Sequence, residues 1–188
     1  MRILTGKYKG RKIRTLDTKE LRPTSTLVRE ALFNILTHNE IFTKNNFFAP
    51  DKVFLEVFCG SGIISFEMLS RGIKKAILLD YNPKLKELFN INKSLLQNDE
   101  QSDFILCDLE KKFPPLPSKI DICFLDPPYH KNIIPLTLNH LITNNYLNKD
   151  AIIIIESDKR NQLNYQEYQL KLLLEKTYGK SRLTFTSF

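Results

Sequence analysis

The sequence lacks the long apolar runs and the paired cysteines that mark membrane proteins and disulfide-stabilised folds. Its longest purely apolar run, Ala151–Ile155, is far shorter than a membrane span, which needs roughly 20 residues. The first residues contain no apolar signal-peptide stretch. The three cysteines, Cys59, Cys107 and Cys123, have neither zinc-site spacing nor a disulfide framework, so we expect reduced thiols. These absences predict a cytoplasmic protein.

Two common ligand motifs are missing as well. No phosphate-binding loop of the form G-x-x-x-x-G-K-[ST] occurs. The three histidines, His38, His130 and His140, show no metal-ligand spacing, so we predict that the protein binds no metal. The composition itself is that of a globular protein: the 188 residues are 42% hydrophobic and 26% charged. This excludes a disordered or collagen-like chain and predicts one main domain with a modest appendage.

The positive charge is concentrated at the N-terminus. The net charge is +7, and residues 1–30 hold nine basic groups against three acidic ones, so the rest of the chain is almost neutral. A concentrated basic segment predicts a polyanionic partner, because each phosphate that is neutralised releases counterions. Nucleic acid is the predicted partner, and a solvated basic face is the alternative.

The basic segment has the spacing of a small hairpin followed by a helix. Ile3–Thr5 and Lys12–Arg14 flank a basic loop with a glycine at each end, which predicts a β-hairpin with Tyr8 at its tip. Thr24 and Ser25 then precede apolar residues at helical spacing. Basic side chains with one aromatic ring suit contact with RNA. The predicted RNA-binding residues are Lys7, Tyr8, Lys9, Arg11, Lys12, Arg14 and Arg22.

From Val53 onward, short apolar runs alternate with helical patterns. This alternation is typical of parallel strands joined by crossover helices, so the sequence predicts an α/β fold. Residues 37–52 predict an irregular connection before the sheet. The predicted strands are Val53–Val57, Ala76–Leu79, Asp103–Leu106, Ile120–Leu125 and Ala151–Ile155, followed by an antiparallel pair, Tyr168–Lys176 and Arg182–Phe188. The predicted helices are Ile63–Arg71, Pro83–Gln97 and Asn132–Tyr146.

Acidic residues recur at the predicted strand ends. Ligands of an open α/β sheet bind beyond the carboxyl ends of its strands. Glu56, Asp80, Asp108 and Asp126 stand at or just after the ends of the first four strands. Any single one of them is explained well enough as a helix cap or a loop residue, but four in succession predict an acidic rim around a ligand.

The turn after the first strand indicates which class of ligand the acidic rim would bind. The backbone can approach a ligand closely at Gly60 and Gly62, but Ser65 takes the third glycine position of a dinucleotide fingerprint. A pyrophosphate would gain little near Glu56, whereas a sulfonium cofactor with an ammonium group gains from acidic surroundings. S-adenosylmethionine therefore fits better than NAD. The predicted cofactor-binding residues are Glu56, Phe58, Gly60, Ser61, Gly62, Asp80 at the ribose and Asp108 at the adenine amine.

The tetrapeptide Asp126-Pro127-Pro128-Tyr129 closes the fourth predicted strand. An exocyclic amine of a nucleobase can donate to the Asp126 carboxylate and the Pro127 carbonyl while its base stacks on Tyr129. Holding both hydrogens aligns the nitrogen lone pair with an electrophilic methyl group, so the rate comes from positioning and electrostatics. A rigid Pro-Pro turn with a core tyrosine is the alternative. Together with the glycine turn, the motif predicts methyl transfer, with Asp126, Pro127 and Tyr129 as the catalytic residues.

These blocks resemble those of the bacterial small-subunit rRNA guanine-N2 methyltransferases, the RsmD family. The matching stretches are Met1-Arg2-Ile3, Gly6–Lys12, Arg22–Ser25, Val28–Leu36, Phe58–Gly62, Leu69–Gly72 and Asp126–Tyr129. The resemblance implies a Rossmann-like class I methyltransferase fold, S-adenosylmethionine as cofactor, and methylation of the 2-amino group of a guanine in 16S rRNA or the small ribosomal subunit. Glu56, Val57 and Cys59 stand where the family usually has Asp, Leu and Ala.

The resemblance divides the chain into two predicted parts. Residues 1–38 would be a basic, RNA-binding hairpin and helix, and residues 39–188 the methyltransferase domain. We expect a monomer that does not associate with membranes. Two alternatives remain at this stage: an amino-methyltransferase acting on adenine or cytosine in DNA or another RNA, and a non-catalytic RNA-binding assembly factor. The first is less favoured because the chain has no room for a sizeable DNA-recognition segment.

Overall fold

The computed structural model describes residues 1–16, 26–97, 101–128 and 133–188, in which helices and strands alternate as expected for an α/β fold. In chain order the elements are α1 (Thr26–His38), α2 (Glu40–Thr43), β1 (Val53–Val57), α3 (Ile63–Ser70), β2 (Lys75–Asp80), α4 (Pro83–Leu96), β3 (Ser102–Leu106), β4 (Ile120–Leu125), α5 (Ile133–Thr143), β5 (Leu147–Asp158), β6 (Lys171–Tyr178) and β7 (Ser181–Ser187), with a 3-10 helix at Tyr165–Tyr168 before β6.

The contacts divide the chain into two compact units. Unit 1 comprises residues 1–23 and 48–115, and unit 2 comprises residues 24–47 and 116–188. The N-terminal hairpin thus belongs to unit 1, whereas α1 belongs to unit 2. The predicted boundary between an RNA-binding part, residues 1–38, and a methyltransferase domain, residues 39–188, stays a prediction.

Unit 1 is built on three parallel strands in the order β3-β2-β1. Val57 pairs with Leu79 and Asp80 with Leu106, so the carboxyl ends of the three strands lie along one edge. All eight residues of α3 are buried. The helix α4 is amphipathic and is capped by Asn82, whose side chain accepts from the Lys84 amide at 3.0 Å, with Pro83 in the first turn.

Unit 2 is built on the strands β4-β5-β7-β6. The strands β4 and β5 are parallel, with Leu125 beside Ile155, and β7 runs antiparallel to both β5 and β6. The strand β5 extends beyond both predicted ends, because Leu147 pairs with Ile120 of β4 and the pairing with β7 continues to Asp158, opposite Ser181. The residues between α1 and β1, predicted to be irregular, contain the short helix α2, from which Phe42 contacts Phe185 with 5.2 Å between ring centroids.

No helix in the described parts of the chain combines the length and the apolar character needed to cross a membrane.

Candidate functional site

Three of the four acidic residues lie at the carboxyl edge of the unit 1 strands. Glu56 is in β1, Asp80 ends β2, and Asp108 follows β3 by two residues. The backbone ties the three strand ends together: the Cys59 amide donates to the Leu79 carbonyl at 3.1 Å, and the Cys107 amide donates to the Asp80 carbonyl at 2.9 Å. The structure therefore brings the predicted cofactor residues Glu56, Asp80 and Asp108 to one edge of one unit.

The turn between β1 and α3 is tight. Gly62 immediately precedes α3 and has φ +71, and a Cβ there would lie 2.7 Å from a side-chain carbon of Leu78. Phe58 also has a positive φ, of 61°, which is uncommon for a bulky residue. Gly60 would place an added Cβ in open space, and Ser61 is half-buried. The backbone of this turn is thus open to a ligand at Gly60 and tightly packed at Gly62.

Glu56 caps the N-terminus of α3. Because Gly62 has no side chain, it cannot accept a hydrogen bond from the first turn of the helix. A carboxylate oxygen of Glu56 instead accepts from the Ser65 amide at 2.9 Å and from the Ser65 hydroxyl. Glu56 is only 3% exposed, and a negative charge is stabilised at this end of a helix. The anion-binding position of α3 is therefore filled by the chain's own carboxylate.

Asp80 holds the glycine turn from the next strand. One of its carboxylate oxygens accepts from the Gly60 amide at 3.0 Å, and the other accepts from the Asn82 amide at 3.1 Å. Burial raises the pKa of Asp80 above its usual value, and the hydrogen bonds from Gly60 and Asn82 act in the opposite direction. A carboxylate in this position can still accept from ligand hydroxyl groups, because each oxygen has two lone pairs.

Asp108 is the most open of the three acids. Its side chain is 41% exposed, it accepts from the Glu110 amide at 3.1 Å, and the Lys111 ammonium lies 3.3 Å away. The neighbouring Cys107 is half-buried, and burial together with the charges of Asp80 and Asp108 raises its pKa to about 11. Burial also raises the pKa of Cys59, so both thiols stay protonated near neutral pH.

The sequence reasoning missed two exposed apolar side chains at this edge. Tyr81 follows Asp80 and is 66% exposed, and Leu106, which ends β3 beside Asp80, is 43% exposed. An aromatic residue directly after the acid of the second strand is the signal that could have identified Tyr81.

The described part of the predicted amine-binding motif lies in unit 2. Asp126 directly follows β4 and is partly buried, Pro127 is buried and Pro128 is exposed. Tyr129, the third predicted catalytic residue, lies outside the described residues. The structure therefore places Asp126 and Pro127 at the carboxyl end of a strand, as the sequence predicted.

The basic hairpin is anchored to unit 1 by three buried polar side chains. Glu67 accepts from the Leu4 amide at 2.7 Å, and the Ser70 hydroxyl accepts from the Tyr8 amide at 2.9 Å. Asn92 accepts from the Arg14 amide at 2.9 Å and donates to its carbonyl at 3.0 Å. Glu67, Ser70 and Asn92 are all at most 4% exposed. The hairpin is therefore part of the packed unit rather than a loose arm.

The predicted exposed position of Tyr8 at the tip of the hairpin is wrong. Tyr8 is 2% exposed, because the hairpin packs its tip against α3, so its ring is not available to RNA. Arg11 is exposed, but one of its guanidinium nitrogens already donates to the Leu95 carbonyl at the end of α4, at 3.0 Å. Lys7, Lys9, Lys12 and Arg14 are exposed. Arg22 lies outside the described residues.

Within the described residues, no group of histidine, cysteine, aspartate and glutamate side chains is arranged so that it could hold a metal ion.

Comparison with known proteins gives consistent matches over the whole chain. The family model described as conserved hypothetical protein 95 matches residues 1–187. The ribosomal RNA small subunit methyltransferase D of Haemophilus influenzae is 34% identical over 183 residues, covering 95% of this chain and 89% of that protein. The protein of the same name from Escherichia coli K12 is 30% identical, covering 96% and 86%.

Solved structures agree with this result. A provisionally assigned methylase from Haemophilus influenzae is 31% identical and superposes with a TM-score of 0.78, covering 99% of this chain and 97% of its own. A provisionally assigned methyltransferase from Escherichia coli is 26% identical with a TM-score of 0.79, covering 100% and 97%. These similarities confirm the predicted Rossmann-like α/β methyltransferase fold.

Proposed function

This chain belongs to the family described as conserved hypothetical protein 95, the RsmD family, and on that premise we propose that it methylates small-subunit rRNA with S-adenosylmethionine. The acceptor is the exocyclic 2-amino group of a guanine, as the resemblance to guanine-N2 methyltransferases implies. A ribosomal substrate would place the reaction in the cytoplasm.

The observation that carries the proposal is the position of Glu56. In dinucleotide-binding folds a pyrophosphate occupies the N-terminus of the first crossover helix. In this chain the Glu56 carboxylate takes that place on α3, through the Ser65 amide and hydroxyl. A phosphate there would face a buried negative charge, whereas a cationic ligand would be attracted. The charge of the turn therefore supports a sulfonium cofactor over NAD.

The other residues of the same edge suit the adenosine part of this cofactor. The Asp80 carboxylate would accept from the ribose hydroxyls while it holds Gly60 at 3.0 Å. The exposed ring of Tyr81 offers a stacking surface for the adenine, and Asp108 an acceptor for its amine. When bound, S-adenosylmethionine supplies an electrophilic methyl group on a positively charged sulfur. No metal is needed for such a transfer.

Residues of unit 2 would hold the amine. The Asp126 carboxylate and the Pro127 carbonyl would accept its two hydrogens, and Asp126 would also stabilise the positive charge that develops on nitrogen. With both hydrogens held, the nitrogen lone pair would be left free to face an electrophilic methyl group, and the proton released after the transfer would pass to solvent water. The prolines fix φ around the motif, which keeps these acceptors in place. The exposed Lys7, Lys9, Lys12 and Arg14 would contact RNA phosphates from the anchored hairpin.

The test is the substitution Asp126→Asn, assayed with small ribosomal subunits from cells that lack this protein. We expect methyl transfer from labelled S-adenosylmethionine to fall by about 100-fold or more, as for the loss of one group that stabilises developing charge, while rRNA binding is retained. Asp121→Asn, at the amino end of the same strand, is the matched control. Unchanged methylation in Asp126→Asn would contradict the catalytic role.

The modified nucleoside separates the remaining alternatives. N2-methylguanosine supports the proposal, whereas methylated adenine or cytosine would indicate a different amino-methyltransferase. RNA binding without any methylation by the wild-type chain would indicate a non-catalytic assembly factor. Calorimetry adds an independent check, because binding of NAD in place of S-adenosylhomocysteine would contradict the cofactor assignment.

A further inference from the structure

Three exposed basic residues meet at one corner of unit 2. Lys159 and Arg160 follow directly after β5, and Lys180 lies in the turn between β6 and β7. The Lys159 amide donates to the Lys180 carbonyl at 2.9 Å, which joins the two segments although they are far apart in sequence. We call Lys159, Arg160 and Lys180 the basic corner.

The arginine of the basic corner is held in one orientation. Its Nε and Nη2 atoms donate to the two carboxylate oxygens of Asp158 at 2.9 and 2.8 Å, and its own amide donates to Asp158 at 2.9 Å. The Arg160 side chain is nevertheless 82% exposed. An ion pair at such an exposed position contributes little to stability. The pairing fixes the guanidinium so that its Nη1 group is directed away from Asp158 and can donate to an anion.

The two lysines of the basic corner differ from the arginine in their surroundings. Among the residues that the structure describes, neither Lys159 nor Lys180 lies within ion-pair distance of a carboxylate. The corner therefore carries three cationic side chains and one carboxylate, that of Asp158, which is paired with Arg160 and is 6% exposed. Such a surface suits a partner that carries several negative charges.

The basic corner lies at the same edge of unit 2 as Asp126. Leu125 pairs with Ile155 in parallel register, so Asp126 follows at the level of Glu156. Asp158 is two residues further along β5, about 7 Å at the usual rise per residue of a strand. The corner is therefore close to the carboxylate that would hold the amine.

We propose that the basic corner is a second RNA-binding surface, which binds backbone phosphates next to the target nucleotide. This inference rests on the proposed function, because it takes Asp126 as the group that holds the base. An enzyme that modifies a base inside a folded RNA must draw the nucleotide out of its stack, and its flanking phosphates then lie beside the catalytic pocket. Fixed cations at that place would offset the cost of unstacking through charge-assisted hydrogen bonds.

The test compares two triple variants with the same change in charge. The first is Lys159→Gln, Arg160→Gln and Lys180→Gln. The control is Lys119→Gln, Lys149→Gln and Lys171→Gln, whose exposed side chains lie at the amino ends of β4, β5 and β6, the opposite edge of unit 2. Binding of small-subunit rRNA is measured at several salt concentrations, and methyl transfer to small ribosomal subunits is measured in parallel.

Loss of three phosphate contacts should lower the slope of log K against log salt concentration by about 2 to 3. We expect the corner variant to show this change and a rise in KM of about tenfold, with kcat and S-adenosylhomocysteine binding retained, while the control stays near wild type. Equal behaviour of the two triple variants would overturn the inference. If the wild-type chain methylates rRNA in that case, the proposed function stands and only the basic corner is refuted.

Discussion

Replacement of Gly6 by alanine should detach the basic hairpin from α3. A Cβ at Gly6 would lie 1.8 Å from the Ser70 carbonyl oxygen and 2.4 Å from its carbon, both of which are backbone atoms of a buried helix. The added methyl group has no rotatable bond with which to move away, and φ at this position is +86. The hairpin must therefore shift as a whole.

The contacts that depend on this close approach allow the cost to be worked out. The Lys7 amide donates to the Ser70 carbonyl at 2.8 Å, the Tyr8 amide donates to the Ser70 hydroxyl at 2.9 Å, and that hydroxyl donates to the Thr5 carbonyl at 2.5 Å. Three hydrogen bonds at about 1 kcal/mol each and the buried ring of Tyr8 at about 2 kcal/mol amount to about 5 kcal/mol. A partial shift of the hairpin would retain some of these contacts, so we expect a loss of about 3 to 5 kcal/mol.

Gly10→Ala is the matched control. Gly10 also has a positive φ, of 78°, but a Cβ there would have nothing within 4 Å. Its cost is only the strain of the left-handed backbone, about 1 to 2 kcal/mol. Urea unfolding gives the free energies, and hydrogen exchange at the Lys7 and Tyr8 amides reports detachment of the hairpin directly. Equal destabilisation by the two substitutions, with both amides still protected in Gly6→Ala, would refute the account of how the hairpin is anchored.

Two further predictions concern Glu56 and Cys107, which lie at the carboxyl edge of the unit 1 strands. Glu56→Gln keeps an acceptor for the Ser65 amide but removes the charge at the start of α3. We therefore expect the free energy of unfolding, measured by urea titration, to fall by about 1 to 2 kcal/mol. An unchanged free energy of unfolding would show that the charge is not needed for capping. The pKa of Cys107 is raised from 9.0 to about 11, and the thiolate fraction near neutral pH is about 100-fold lower as a result. Iodoacetamide should then label Cys107 at least about tenfold more slowly than an unperturbed thiol, because the higher nucleophilicity of the more basic thiolate offsets part of its lower population. Peptide mass spectrometry measures this rate, and labelling at the rate of a free thiol would contradict the burial and acidic surroundings described for this side chain.

Elements whose signal is local were predictable from the sequence. The bounds of β1 and β4 agree with the predicted strands to the residue, because each is a short apolar run between polar or turn residues. The helix α4 was predicted from the helical spacing of its apolar residues. In contrast, α2 has only four residues, too few for a periodicity, and it was not predicted.

Features that depend on distant contacts were not predictable. The sequence predicts an exposed tip at Tyr8 because no neighbouring residue in the chain covers it, whereas Ser70, whose hydroxyl accepts from the Tyr8 amide, is 62 positions away. The basic corner was missed for a similar reason, since Lys159 and Lys180 meet only through the antiparallel pairing of β5 with β7. The capping role of Glu56 also depends on a fold in which α3 starts at a glycine.

The enclosed helix α3 limits how this protein can be altered. Its eight residues span about 12 Å. The helix starts at the glycine turn and ends at Ser70, whose hydroxyl accepts from the Tyr8 amide of the hairpin. A chimaera that exchanges the hairpin for another one would have to bring a compatible Glu67 and Ser70, or retain the original pair. The hairpin and the turn that follows β1 would therefore have to be exchanged together, because a single helix of eight residues joins them.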